Sequence, residues 1–293
     1  MSHLSGLLTA RQFRPMRLSE IIDRAFELFR QEMLPLMTLS ILGWGPLVSS
    51  LFGWLYFIYY NKEIWNTSAY IASVIPFIVL ILVAFSWFIV VQGAQNYLIF
   101  SVLIGKPKTP PQALLHALRR FATLLLNGFL FFFFFFVGFI FYILPSLYVL
   151  MRFSLLFSIA SLEDDKFYFQ TLQRNNKILG EGSGSKLFGL FFIFFSFLIL
   201  GWLNLILMRH LFVYVMRILL GIDLTYLNTL PYSTFSLFLL TLLFLIPLKN
   251  IAYTLAYIDG RVRYEGWDLQ LRITELSQSS LSSSSHSINK EAL

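Results

Sequence analysis

The chain has 293 residues, 57% of them hydrophobic and 13% charged, with a formal net charge of +7 and a mean hydropathy of +0.72. That apolar content excludes a soluble globular domain and assigns the length to membrane spans of about 20 apolar residues each. Cysteine is absent, which excludes a disulfide framework, a thiolate nucleophile and a cysteine metal site.

In chain order, the apolar stretch at 4–8 is too short for the core of a signal peptide. Residues 17–31 then carry Leu18, Ile21, Ile22, Ala25, Phe26 and Phe29 at helical spacing, with Glu20, Asp23, Arg24, Glu27 and Arg30 on the other face. This pattern predicts an amphipathic helix that lies along the membrane surface or packs beneath the spans. Glu20 and Arg24 form an i,i+4 pair in the favourable order.

The first span is expected at 33–58, with Pro35 at its start and Gly43, Gly45, Pro46 and Gly53 favouring bending or close packing. Tyr56, Tyr59, Tyr60 and Trp65 form an aromatic belt beyond it. The second is expected at 71–91, its apolar character continuing past Gln92, Gln95 and Asn96 to Ile104. A basic stretch with Lys106, Lys108, Arg119 and Arg120 follows, opened by Pro107, Pro110 and Pro111. The apolar run at 124–161 is nearly two spans long and divides near 142–146, at Pro145. The polar segment 163–186 holds a short helix capped by Asp164 or Asp165 and ended by Gly180. The fifth span is expected at 187–208. A loop with Arg209, His210, Arg217 and Asp223 leads to the sixth, at 233–257.

Four divisions result: a cytoplasmic segment at 1–32, six spans within 33–260, a charged terminus at 261–276, and a Ser-rich tail at 277–293 too polar to fold. The fold expected is an all-α polytopic transmembrane bundle of about six spans with an N-terminal amphipathic interfacial helix. Seventeen of the 22 Lys and Arg residues fall on the N-terminal side of the first span, in alternate connections and in the C-terminal tail; only Lys62, Arg209 and Arg217 fall opposite. The positive-inside rule then places both termini in the cytoplasm. Nucleic acid is not an expected partner, because no basic folded domain remains to bind it.

Chemistry is sparse. His3, His116, His210 and His286 are scattered, and no H-E-x-x-H pair, G-x-S-x-G elbow or phosphate-binding glycine loop occurs. No metal or cofactor is expected. Arg152 and Lys249 lie within apolar runs, where a charge costs about 2.5–3.5 kcal/mol on insertion scales. Snorkelling or a buried pairing explains them, and so does a site for an anionic group such as a lipid phosphate. Arg152 is expected near the outer end of its span. The closing string from Tyr257 to Asp268 is dense in charge: on a helix Asp259 faces Arg263 and Arg261 faces Glu265, with Trp267 anchoring at the interface. It reads as a solvated, salt-bridged span terminus or as a docking site for a partner or for headgroups, formed by Asp259, Arg261, Arg263, Glu265 and Trp267.

This closing string, through Tyr257, Asp259, Arg261, Arg263, Glu265, Gly266, Asp268 and Leu269, resembles the bacterial family of integral membrane proteins related to the glycerophosphoryl diester phosphodiesterase membrane domain. So do Leu18 to Asp23 leading to Phe26 and Phe29, and a stretch through Pro145, Tyr148, Arg152, Phe153, Glu163, Leu172, Arg174 and Gly180. The resemblance implies a six-helix bundle with an N-terminal amphipathic helix. It does not carry over phosphodiesterase activity, since no barrel or metal-carboxylate pattern occurs in this sequence. The function expected is a non-enzymatic subunit or scaffold for a membrane or cytoplasmic protein partner at the cytoplasmic face of a bacterial inner membrane. The alternative is a carrier or binder of lipid or small anionic solute using Arg152 and Lys249.

Overall fold

The computed structural model describes residues 15–60, 68–141, 143–163, 168–180, 183–222 and 233–266. Among these there are ten helices and no strand: α1 (Leu18–Gln31), α2 (Met33–Tyr60), α3 (Ser68–Leu103), α4 (Pro110–Arg119), α5 (Phe121–Phe141), α6 (Ile143–Arg152), α7 (Leu156–Leu162), α8 (Tyr168–Gly180), α9 (Ser183–Leu220) and α10 (Ser233–Glu265). Five of them, α2, α3, α5, α9 and α10, are long and apolar enough to cross a membrane. The molecule is an all-α polytopic bundle.

Two short helices, α6 and α7, together return along α5. Phe153 of the turn after α6 meets Phe134 at a centroid distance of 6.1 Å, and Phe157 of α7 meets Phe131 at 5.6 Å. Arg120 Nη1, just before α5, donates to the Glu163 carbonyl at 2.6 Å. These contacts run α6 and α7 antiparallel to α5, so the 124–161 run divides in two at about the expected place. The expected single helix, however, is broken at Phe153–Leu155, where Leu156 N–H bonds back only to the Phe153 carbonyl at 3.1 Å. A break at this depth frees carbonyls that lipid cannot satisfy. Asn175 of α8 answers one of them, donating Nδ2–H to the Arg152 carbonyl at 2.7 Å.

The loop expected after 208 is a correction. α9 runs on through Arg209, His210 and Arg217 to Leu220, because no glycine or proline interrupts 202–220. Gly221, in the left-handed region at φ +66°, stops it. At 1.5 Å per residue its 38 residues span about 57 Å, well beyond a hydrocarbon core of about 30 Å. α8 ends at Gly180 as expected, while Asp164 and Asp165 lie outside the described residues.

Packing is concentrated at the end of the bundle that carries α1, α4 and α8, here called the basic end. Residues 251–260 of α10 are all buried, enclosed by α1, α3, α7, α8 and α9. α3 and α5 approach closely through glycine: a Cβ on Gly128 would lie 2.6 Å from Ile89 Cδ1, and one on Gly93 2.6 Å from Leu124 Cδ1. α1 packs beneath the spans, burying Ile21 and Ala25 against α10, with Leu18 seated over Gly189 of α9. The Glu20–Arg24 pair forms on its outer side at 3.3 Å. At the far end the helices present Ile75, Val79, Val83, Leu203, Leu207 and Leu211 outward, as lipid-facing surfaces do.

Candidate functional site

The charged string that closes α10 folds into a buried clasp. Asp259 is 1% exposed, and its carboxylate accepts the Met16 amide N–H at 2.6 Å, Lys186 Nζ at 2.5 Å and Arg263 Nε at 3.1 Å. Lys186 Nζ also donates to the Met16 carbonyl at 2.6 Å, and Arg263 Nη2 to the same oxygen at 3.3 Å. The Met16 peptide groups are thus held from both sides by residues of α9 and α10. Three chain segments far apart in sequence meet on one carboxylate, and the entry to α1 is fixed.

The i,i+4 spacing of Asp259 and Arg263 is realised as the sequence suggests. The surface role is not: Asp259 faces inward, so a partner cannot reach it. Arg263 remains exposed, and Arg261 lies with its guanidinium carbon 5.9 Å from the Tyr257 ring centroid. Trp267 and the side chain of Glu265 lie outside the described residues.

A second hub centres on Glu163, beside the clasp. Both of its carboxylate oxygens accept Arg174 Nε, at 3.1 and 3.2 Å, and Oε1 also accepts the Tyr257 hydroxyl at 2.8 Å. Arg120 donates to the Glu163 and Ser161 carbonyls, capping α7. His116 of α4 stacks on Tyr97 at 3.7 Å, its Nε2 lying 3.2 Å from the Ser161 carbonyl. Burial holds the imidazole below its ordinary pKa of 6.5, with Arg120 and Arg119 adding to the depression and the Ser161 contact opposing it. Together the two hubs tie α1, α4, α7, α8, α9 and α10 into one polar layer at the basic end.

A third polar group lies deeper, between α2, α3 and α10. Asn250 Nδ2 donates to Gln92 Oε1 at 2.6 Å and to Gln95 Oε1 at 2.7 Å. Gln95 Nε2 then donates to Ser40 Oγ at 2.7 Å and to the Leu36 carbonyl at 3.2 Å. This buried chain of uncharged polar groups pins three helices.

Arg152 and Lys249 are not brought into one site. Arg152 ends α6, which packs on α5 and α9, and among the described residues its carbonyl rather than its guanidinium is engaged. The Asn175 contact and the returning α7 place it at the junction between α6 and α7. Lys249 is half-buried on α10, with Nζ 5.8 Å from the Tyr253 ring centroid. Neither forms an ion pair among the described residues. A separate groove of about 370 Å³ between α2 and α10, lined by Ile41, Trp44, Val48, Phe52, Leu240 and Leu243, is apolar and offers no charged anchor.

Lys186, Arg120 and the amides Gln92, Gln95 and Asn250 carry these networks without having been singled out as site residues. The available signal was a polar residue inside an apolar run or at its edge. Among the described residues no group of three or more His, Asp or Glu side chains converges as a metal site would require. Comparison of the chain with family models, with curated proteins and with solved structures finds no match.

Proposed function

We propose that the chain is a non-enzymatic subunit of a bacterial cytoplasmic membrane that holds a protein partner at its basic face, with both termini in the cytoplasm. The observation that carries this reading is the mounting of α1. Ile21 and Ala25 are buried and Met16 is clasped, yet Arg17, Asp23, Glu27 and Arg30 stay exposed. A mixed-charge helix face held rigidly against the bundle loses little freedom on binding, which favours recognition. In this reading Asp259 and Lys186 position α1, while Arg261 and Arg263 extend the surface. The resemblance to the phosphodiesterase-associated membrane domain family belongs to the same proposal, as a membrane domain acting without catalysis.

The test is purification in lipid nanodiscs with mass spectrometry of everything retained. A stoichiometric protein, lost from Asp23→Lys/Glu27→Lys with the thermal midpoint unchanged, supports the proposal. Solitary wild-type protein from gentle extraction sinks it.

A second reading is favoured by Lys249, a half-buried cation over an aromatic ring with no carboxylate partner among the described residues. It makes the chain a binder or carrier of lipid phosphate or a small anion, with Arg152 as a separate contact. Flux into reconstituted vesicles that is unchanged by Lys249→Met counts against it.

A further inference from the structure

We infer that α4 and the corner before it form a docking surface for anionic phospholipid in the leaflet at the basic end. The inference stands apart from both readings above, since it uses neither α1 nor Lys249.

The corner is rigid. Gly105, at φ 75°, turns the chain out of α3, and Lys106 N–H bonds back to the Ser101 carbonyl at 2.9 Å. Lys108 N–H bonds to Ser101 Oγ at 3.1 Å, so the backbone of both lysines is fixed while their side chains are exposed. Thr109 and Gln112 form a reciprocal capping box, and Pro110 and Pro111 present no amide, so the start of α4 is satisfied internally. The lysines, rather than the helix terminus, are the feature open to an anion.

The faces of α4 fix its depth. Ala113 and Ala117 are buried against the bundle. Leu115 and Leu118, 52% and 41% exposed, point away from it, and Phe121 follows at the same three-residue spacing, 44% exposed. These side chains continue the lipid-facing stripe of α5, formed by Leu126, Phe129, Phe133, Phe136 and Ile140. An exposed apolar stripe that runs from a span onto a surface helix places that helix at the boundary of headgroups and acyl chains. Arg119 is exposed next to the stripe, about 15 Å along α4 from Thr109 at 1.5 Å per residue.

Charge selects the occupant. No acidic residue occurs between Glu63 and Glu163, so nothing on this part of the chain neutralises Lys106, Lys108 or Arg119. None of the three forms an ion pair among the described residues. A surface of exposed leucines rimmed by unpaired cations matches a diacyl lipid with a phosphate and no compensating ammonium, and it is a poor match for a zwitterionic one.

The experiment uses the full chain in mixed micelles of phosphatidylglycerol and phosphatidylcholine, with retained lipids counted by native mass spectrometry. The variant is Lys106→Gln/Lys108→Gln/Arg119→Gln, all at exposed positions, with its thermal midpoint checked against wild type. We expect wild type to retain phosphatidylglycerol selectively. Each cation near an anionic surface contributes about fivefold, so the triple variant loses about a hundredfold of that preference. Raising salt from 0.15 to 1 M weakens the wild-type preference, because the screening length falls from about 8 to 3 Å.

Equal retention of the two lipids by wild type overturns the inference. So does a preference that survives in the triple variant or is abolished by Lys249→Met instead. Loss of a bound protein from the triple variant, with lipid retention unchanged, makes the surface a protein interface and likewise overturns it.

Discussion

The networks differ in how much each residue holds, and charge decides the order. Asp259 satisfies an amide and two cations while almost wholly enclosed, so Asp259→Asn leaves Lys186 and Arg263 without their counter-charge. Removing one member of a buried pair costs about 3–5 kcal/mol, and partial exposure of the two cations places this case near the lower figure. Asn250→Leu removes two uncharged hydrogen bonds between helices, worth about 1–2 kcal/mol together. Reversible unfolding in mixed micelles is therefore expected to show Asp259→Asn as the weaker protein, and equal losses contradict the ranking. His116 adds a pH dependence whose sign follows from its environment. Its folded pKa lies below 6.5, so on acidification the unfolded chain takes the proton first. Stability is full above 6.5 and falls as pH drops from there toward the folded value. Thermal midpoints recorded from pH 8 to 5 are expected to decline more for wild type than for His116→Gln. Parallel curves remove His116 from the account.

Helices were legible where one face of local sequence decides the outcome. The apolar spacing of Leu18, Ile21, Ala25 and Phe29 yields α1 within a residue of its expected bounds, because burying that stripe needs only a nearby apolar surface. Arg209, His210 and Arg217 suggested a loop, but charge does not break a helix that lacks glycine and proline, and α9 continues to Gly221. The break between α6 and α7 has no glycine, so local sequence could not show it; it depends on Asn175, distant along the chain, for its hydrogen bond. The same limit applies to the clasp, where Asp259 and Arg263 were visible at i,i+4 but Lys186 and Met16 arrive through the fold. Glycine packing shows this reach at element scale. A methyl on Gly128 meets the branched side chain of Ile89 at 2.6–3.0 Å, whereas one on Gly45 meets nothing within 4 Å. Alanine gains about 1 kcal/mol in helix propensity at either site, but overpacking costs about 1–3 kcal/mol at Gly128. Gly128→Ala is expected to lower the thermal midpoint and Gly45→Ala to hold or raise it. A rise in both would mean that α3 and α5 do not meet as closely as described.

At the scale of the whole molecule, the described residues are polar and pinned at one end and apolar and lipid-facing at the other, and that asymmetry supports the orientation proposed above. Lys and Arg near short connections resist translocation, and the sequence expectation of seventeen on one side against three opposite supports cytoplasmic termini. Length alone does not distinguish the two orientations, since each long helix exceeds the hydrocarbon core either way round. The absence of cysteine makes the question directly measurable, because any introduced thiol is the sole target of a thiol reagent. Gln112→Cys marks the exposed surface of α4, and Ile222→Cys, 44% exposed beyond α9, marks the far end. In intact cells a membrane-impermeant maleimide is expected to label Ile222→Cys and spare Gln112→Cys; inverted vesicles should reverse the pattern. Labelling of Gln112→Cys in intact cells would place α1, the clasp and α4 outside. A cytoplasmic partner on α1 would then be impossible, while the cationic surface of α4 would face the opposite leaflet with its chemistry unchanged.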